Sequence, residues 1–247
     1  MSLFSGFFSK TPEQSLLEAC ENGKIEDVKH LLTDPKIHPN CQDKKGSTPF
    51  YVACRKGSVG VVQVLLNDKR IDVNKAEDYG WTPFYIACER GITGVVKLLV
   101  KDERVDLNKP TNTGASPFWK ACERGRTEVM KLLLYDERID INQKTYFDKT
   151  PLYGASGEGQ LEAVKYILAS GRTINLEKAR DGKTPIDIAR EPDKPKDGDK
   201  EEFQRSLLRR KQNCPKIVEL LESFQKNPRE TRVELRKELG LPGPIPI

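Results

Sequence analysis

The chain has 247 residues, 36% of them hydrophobic and 32% charged, with a formal net charge of +5. That length suits one or two ordinary domains or one elongated repeat array, and so modest an apolar content favours a core drawn out along the chain. No apolar run approaches the roughly 18 residues of a bilayer span, and the opening MSLFSGFFSK lacks the basic start of a secretory leader. The expected compartment is therefore the cytoplasm, with the nucleus as the other choice.

In chain order, Thr11-Pro12-Glu13-Gln14 has the spacing of a capping box and predicts a first helix. Val28, Leu31 and Leu32 follow Gly23 at i, i+3, i+4 and predict a second. A cycle then begins. Thr48-Pro49, Thr82-Pro83, Ser116-Pro117, Thr150-Pro151 and Thr184-Pro185 recur every 34 residues. A hydroxyl before proline starts a helix, because the hydroxyl caps free N–H groups and proline fits the first helical position. Gly57, Gly91, Gly125 and Gly159 sit where each short helix should end in a left-handed residue. Second stripes follow at Val62/Leu65/Leu66, Val96/Leu99/Val100, Met130/Leu133/Leu134 and Val164/Ile167/Leu168. The sixth unit starts in phase at GKTPIDIA, but its second helix, PKIVELLESF, comes about 20 residues late. The insertion, roughly residues 191–213, reads as a polar flexible loop and then a short helix with Phe203, Leu207 and Leu208 on one face. It is expected to fold back over the last repeat, the other reading being a second docking element or basic patch with Arg209, Arg210 and Lys211. Asn227, Pro228, Glu230 and Gly240 bracket a final helix, and LPGPIPI follows it.

A short helix, a turn, a second helix and a hairpin, with GxTPFYxAC opening each unit, resembles the ankyrin repeat. The resemblance implies an all-α repeat solenoid of about six stacked units across residues 11–226, after a segment at 1–10 and before a C-terminal helix and proline-rich tail at 227–247. The family's usual period is about 33 residues. The added residue here falls in NDKRIDVN, KDERVDLN and YDERIDIN, between second helix and hairpin. Asp72, Asp106 and Asp140, with Asn74, Asn108 and Asn142, stand where the family ties down its loops.

Little in the sequence points to catalysis, a metal or a cofactor. Cys54, Cys88 and Cys122, with Cys20 in phase, replace the family's second alanine. Neighbouring units of such a stack lie roughly 10 Å apart, beyond the ~7 Å between Cα atoms that a disulfide spans. They read as small buried thiols, and Cys41 and Cys214 as free. His30 and His38, the two histidines, have no partner at ligand or catalytic spacing. What the repeats vary is the hairpin tips and the first-helix ends, which line the concave binding surface in the family. The tips carry Tyr79 and Trp81, then Asn112, Thr113 and Ala115, then Tyr146, Phe147 and Lys149. Arg55, Arg90 and Arg124 mark the helix ends, and Trp119 replaces the Tyr51 and Tyr85 of earlier units. Aromatic residues and arginine dominate binding hot spots. The expectation is a monomeric, non-catalytic scaffold or adaptor holding a protein partner through Tyr79, Trp81, Arg55, Arg90, Trp119, Arg124, Tyr146 and Phe147. The alternative is charge-driven binding of nucleic acid or an anionic membrane through the C-terminal region, where eleven Lys/Arg face seven Asp/Glu beyond residue 199. Phe4, Phe7 and Phe8 are its candidate anchor.

Overall fold

A computed structural model describes residues 10–191 and 200–242, and these form thirteen helices and no strand. They pair off by unit: α1 (Pro12–Glu21) with α2 (Ile25–Leu32), α3 (Pro49–Lys56) with α4 (Val59–Asn67), and α5 (Pro83–Arg90) with α6 (Thr93–Leu99). Then come α7 (Pro117–Glu123) with α8 (Thr127–Leu134), α9 (Pro151–Gly157) with α10 (Leu161–Ala169), and α11 (Pro185–Arg190) with α12 (Lys200–Lys226). The final helix is α13 (Pro228–Glu238). First helices stack on first helices and second helices on second, so the array has two layers.

The hydroxyl-proline pairs start helices as their chemistry requires. Thr48, Thr82, Ser116 and Thr150 each accept the backbone N–H three residues on, at 3.0–3.1 Å. Thr11 and Gln14 close a full capping box. The stripes meet in one elongated core running from Leu16 to Leu235. Cys54, Cys88, Cys122, Leu65, Leu99 and Leu133 within it are fully buried. Burial pushes the Cys20 thiol up to about 12 and the half-buried Cys41 thiol up to about 11, and holds Cys54, Cys88 and Cys122 well above the ordinary thiol value. These thiols stay protonated near neutral pH, which keeps them poor nucleophiles.

The added residue in each cycle has a structural use. It sits in an Asp-x-Arg loop whose arginine reaches back one unit. Arg104 grips Asp102 at 2.7 Å and donates to the Leu66 carbonyl, near the end of α4, at 2.8 Å. Arg70 reaches the Leu32 carbonyl and Arg138 the Val100 carbonyl, each also at 2.8 Å. The last carbonyls of a helix have no partner of their own and favour a cation. The arginine hydrogen bonds hold Asp68, Asp102 and Asp136 below the usual carboxylate range. Asparagines form a second tie. Asn74 Nδ2 donates to the Arg104 carbonyl at 2.6 Å, and Asn74 Oδ1 accepts from the Asp106 N–H at 2.8 Å. Asp106 in turn accepts from the Asn108 N–H at 3.0 Å, so the loop-tying role of these pairs is visible atom by atom. Replacing Arg104 by Ala is expected to cost about 1–2 kcal/mol, since it frees a charged, half-buried Asp102 and an orphan carbonyl. Urea unfolding checks this, and a loss below about 0.3 kcal/mol would mean the clamp holds nothing.

The C-terminal end differs from expectation. The insertion does not close a short helix before a new one begins at Pro215. Residues 200–226 form one helix with Pro215 inside it. Proline fits a first helical position and so suggested a start there. The preceding turns are nevertheless held helical by contacts with unit five. Cys214 Sγ lies 3.7 Å from the Ser156 carbonyl, Asn213 donates to the Gly159 carbonyl at 2.9 Å, and buried Arg210 pairs with Glu158 at 2.5 Å. The helix thus braces the last full unit. Most of the polar stretch expected to be a flexible loop, residues 192–199, lies outside the described residues, as do Phe4, Phe7 and Phe8. Helix α13 caps the other face by packing on α10 and α12, with Leu235 buried and Val233 exposed.

Candidate functional site

Each hairpin tip is tied to its neighbour through the backbone. The N–H groups of Asp78, Asn112, Tyr146 and Arg180 donate to the carbonyls of Lys45, Tyr79, Thr113 and Phe147 at 3.1–3.2 Å. The tips therefore form a fixed row, and their side chains stand at set intervals beside the first helices. Tyr79, Tyr146 and Phe147 are 70%, 57% and 58% exposed. These rings leave much of their apolar surface in water.

The position before each Ser/Thr-Pro pair is held by Ser47, Trp81, Ala115, Lys149 and Lys183 in turn. Small Ala115 falls between Trp81 and Lys149, and Thr113 falls between Tyr79 and Phe147. The gap they leave is a notch of about 470 Å³, lined by Tyr79, Trp81, Tyr85, Trp119, Phe147 and Lys149 among others. Trp81 is half-buried. It stacks at a tilt on Tyr85 with centroids 5.4 Å apart, and Tyr79 lies 6.5 Å beyond it. Trp119 is 8% exposed. Its ring lies against Gly154, where an added Cβ would stand 3.3 Å from the indole carbons. It therefore both wedges α7 on α9 and lines the notch. The indole Nε1–H of Trp119 is buried without an acceptor among the described residues.

The cations beside this notch are already engaged. Lys120 lies 5.0 Å over the Trp119 ring and pairs with Glu123. Lys149 lies 4.9 Å over the Tyr153 ring and pairs with Asp181 at 3.3 Å. The three predicted arginines belong to a different place, the far ends of the first helices. Arg55 pairs with Glu21 at 3.6 Å, and Arg124 with Glu89 and Glu202, both at 3.3 Å. Arg90 is exposed and forms no ion pair among the described residues. The structure thus gathers Tyr79, Trp81, Trp119 and Phe147 at one notch, sets Tyr146 on its rim, and puts the arginines a helix length away. Sequence reasoning placed neither Tyr85 nor Lys120 at this site, yet both line the notch. The readable clue was the small residue at 115 amid large ones at the same repeat position.

Two short spans of sequence match the family description for ankyrin repeats in three copies, residues 16–111 and 96–178, which together take in most of the chain. The protein belongs to the ankyrin repeat family. The solved ankyrin repeat protein EF0377 superposes with a TM-score of 0.66 and 26% identity, over 81% of this chain and 98% of that one. No curated protein sequence matches. The ankyrin assignment places the notch on the face formed by hairpin tips and first helices. Among the described residues, no group of three or more His, Cys, Asp or Glu side chains is set to hold a metal ion, and no helix is long and apolar enough to cross a membrane.

Proposed function

We propose that this ankyrin array is a non-catalytic scaffold that holds a protein partner on its concave surface, with the hot spot around Tyr79, Trp81 and Trp119. The observation that supports it most is the cluster of exposed and half-exposed aromatics on a rigid hairpin row. Rigid aromatics bury much area at little entropic cost. Arg55, Arg90, Arg124, Tyr146 and Phe147 extend the proposed contact outward along the same units.

The C-terminal cations give less support to charge-driven binding. Arg210 is spent on Glu158, Arg209 on the Glu158 carbonyl, Arg232 on the Arg172 carbonyl and Arg236 on the Ala169 carbonyl. Cations committed to the fold leave fewer for phosphates.

The test is capture of the partner by the wild type beside the double variant Tyr79→Ala, Trp81→Ala. A lost aromatic anchor typically costs about 2 kcal/mol, roughly a 30-fold loss of affinity. Folding should change by no more than about 1 kcal/mol, because Tyr79 is exposed and Trp81 half-buried. A variant that melts normally and still holds the partner moves the surface elsewhere, to the brace around Phe203–Lys211.

A further inference from the structure

The turns between first and second helices are closed by a side chain from the unit that follows. Arg126 Nε donates to the Glu89 carbonyl at 2.8 Å and Gln160 Nε2 to the Glu123 carbonyl at 3.0 Å, each from 37 residues on. At unit five the donor is Arg209, whose Nε reaches the Glu158 carbonyl at 2.8 Å from 51 residues on. Arg209 thus stands where a second helix of this array normally begins. The turns of α12 before it, residues 200–208, are an overhang of about 13 Å. The overhang reaches unit four, where Glu202 lies 3.3 Å from Arg124.

The two halves of α12 are held by different forces. The elongated core takes up the helix from Ile217 onward, with Leu221 and Phe224 buried, and includes no side chain of residues 201–214. Phe203 is half-buried, and Leu207 and Leu208 are exposed. The fastenings of the first half among the described residues are polar. Glu202 meets Arg124, Arg209 and Arg210 meet Glu158, Asn213 donates to the Gly159 carbonyl, and the Cys214 thiol faces the Ser156 carbonyl. Salt screens the ion pairs among them, whereas it does not loosen apolar burial. The border between the halves is Pro215. Proline has no N–H to give the carbonyl four residues back, and its ring crowds that carbonyl. The helical ladder is therefore weakest where the fastening changes from polar to apolar. Fifteen residues taken off their support are too short to hold a helix well in water.

We propose that residues 200–214 are a latch that opens as one unit at Pro215, while the repeats and the helix from Ile217 onward stay folded. Closed, the latch keeps Glu202 on Arg124 and covers Gly159, where an added Cβ would stand 3.0 Å from the Arg210 Cα. Open, it takes Glu202 off Arg124. Arg124 belongs to the proposed contact, so latch and partner compete for that guanidinium. This consequence rests on the scaffold reading, whereas the opening itself does not.

Hydrogen exchange of the full chain, read by mass spectrometry, tests the opening without a partner. It can therefore fail while the scaffold reading stands, and the reverse. Amides 205–214 should exchange together, roughly tenfold or more faster than amides 219–226. Raising sodium chloride from about 0.05 M to about 1 M should speed the first set roughly tenfold and leave the second unchanged. Pro215→Ala supplies the missing N–H and should slow the first set roughly fivefold. Glu158→Gln should speed it roughly tenfold and leave α9 and α10 protected. One common rate for the two sets would overturn the latch, and a rate indifferent to salt would overturn its polar fastening. No slowing in Pro215→Ala would overturn the hinge. Protection lost across α9 and α10 in Glu158→Gln would show that this carboxylate holds the repeat itself, and the latch would not be a separate unit.

Discussion

Truncating Leu99 to Ala is expected to cost about 3–5 kcal/mol. Leu99 ends α6 with no exposed surface, between the second helices of the units before and after it. Its removal loses the transfer free energy of the side chain and leaves a cavity that rigid neighbours fill poorly. Many ankyrin contacts are shared by adjoining units, so the loss falls on three of them at once. Urea unfolding followed by circular dichroism measures it. A cost under about 1 kcal/mol would mean that the layer of second helices is not a packed core. A change in slope as well as midpoint would show the array breaking into separately melting parts.

Gly114→Ala is the second, at about 2–3 kcal/mol. Gly114 turns its hairpin at φ +81°, and a Cβ there would stand 2.6 Å from the backbone nitrogen of Tyr146. A left-handed residue with a side chain costs roughly 1–2 kcal/mol by itself, and the backbone displacement adds to it. That nitrogen also makes the tip-to-tip bond to Thr113, so the damage enters the notch. Gly182 provides the control. It has φ +76° but no atom within 4 Å of the added carbon, so Gly182→Ala carries only the conformational part. Equal losses at the two positions would show that crowding contributes nothing. The chain has run a related experiment at Asp148, which holds φ +59° at the equivalent turn and pairs with Arg180 at 2.9 Å. Aspartate is among the few residues that tolerate this region.

The helix starts, the glycine turns and the buried stripes were legible because they depend on residues a few positions apart. Thr82, Pro83 and Gly91 announce α5 without reference to anything else in the fold. The arginine clamps were not legible. Arg104 finds its meaning in the Leu66 carbonyl, 38 residues back, and a carbonyl carries no residue identity to read. Pro215 misled for a related reason, since its local preference for a helix start was overridden by the grip of Arg210 and Asn213 on unit five. At the candidate site the aromatic tips were visible, yet Trp81 and Trp119 had to be placed before their shared notch could be seen. Ala115 mattered there by being small, and smallness shows only against the neighbours it separates.

The arginine clamps reach one unit back, the asparagine ties one unit forward, and both stop there. Every middle unit meets its predecessor and its successor through the same chemistry, so a copied or excised stretch of 34 residues would find matching joints on both sides. The two ends lack that freedom, since the brace of α12 on Glu158 fits one unit alone. A lineage carrying this array can gain or lose length in its middle by slippage of its coding sequence. It would thereby shift the distance between the aromatic notch and the braced end in steps of one unit, without inventing a new contact.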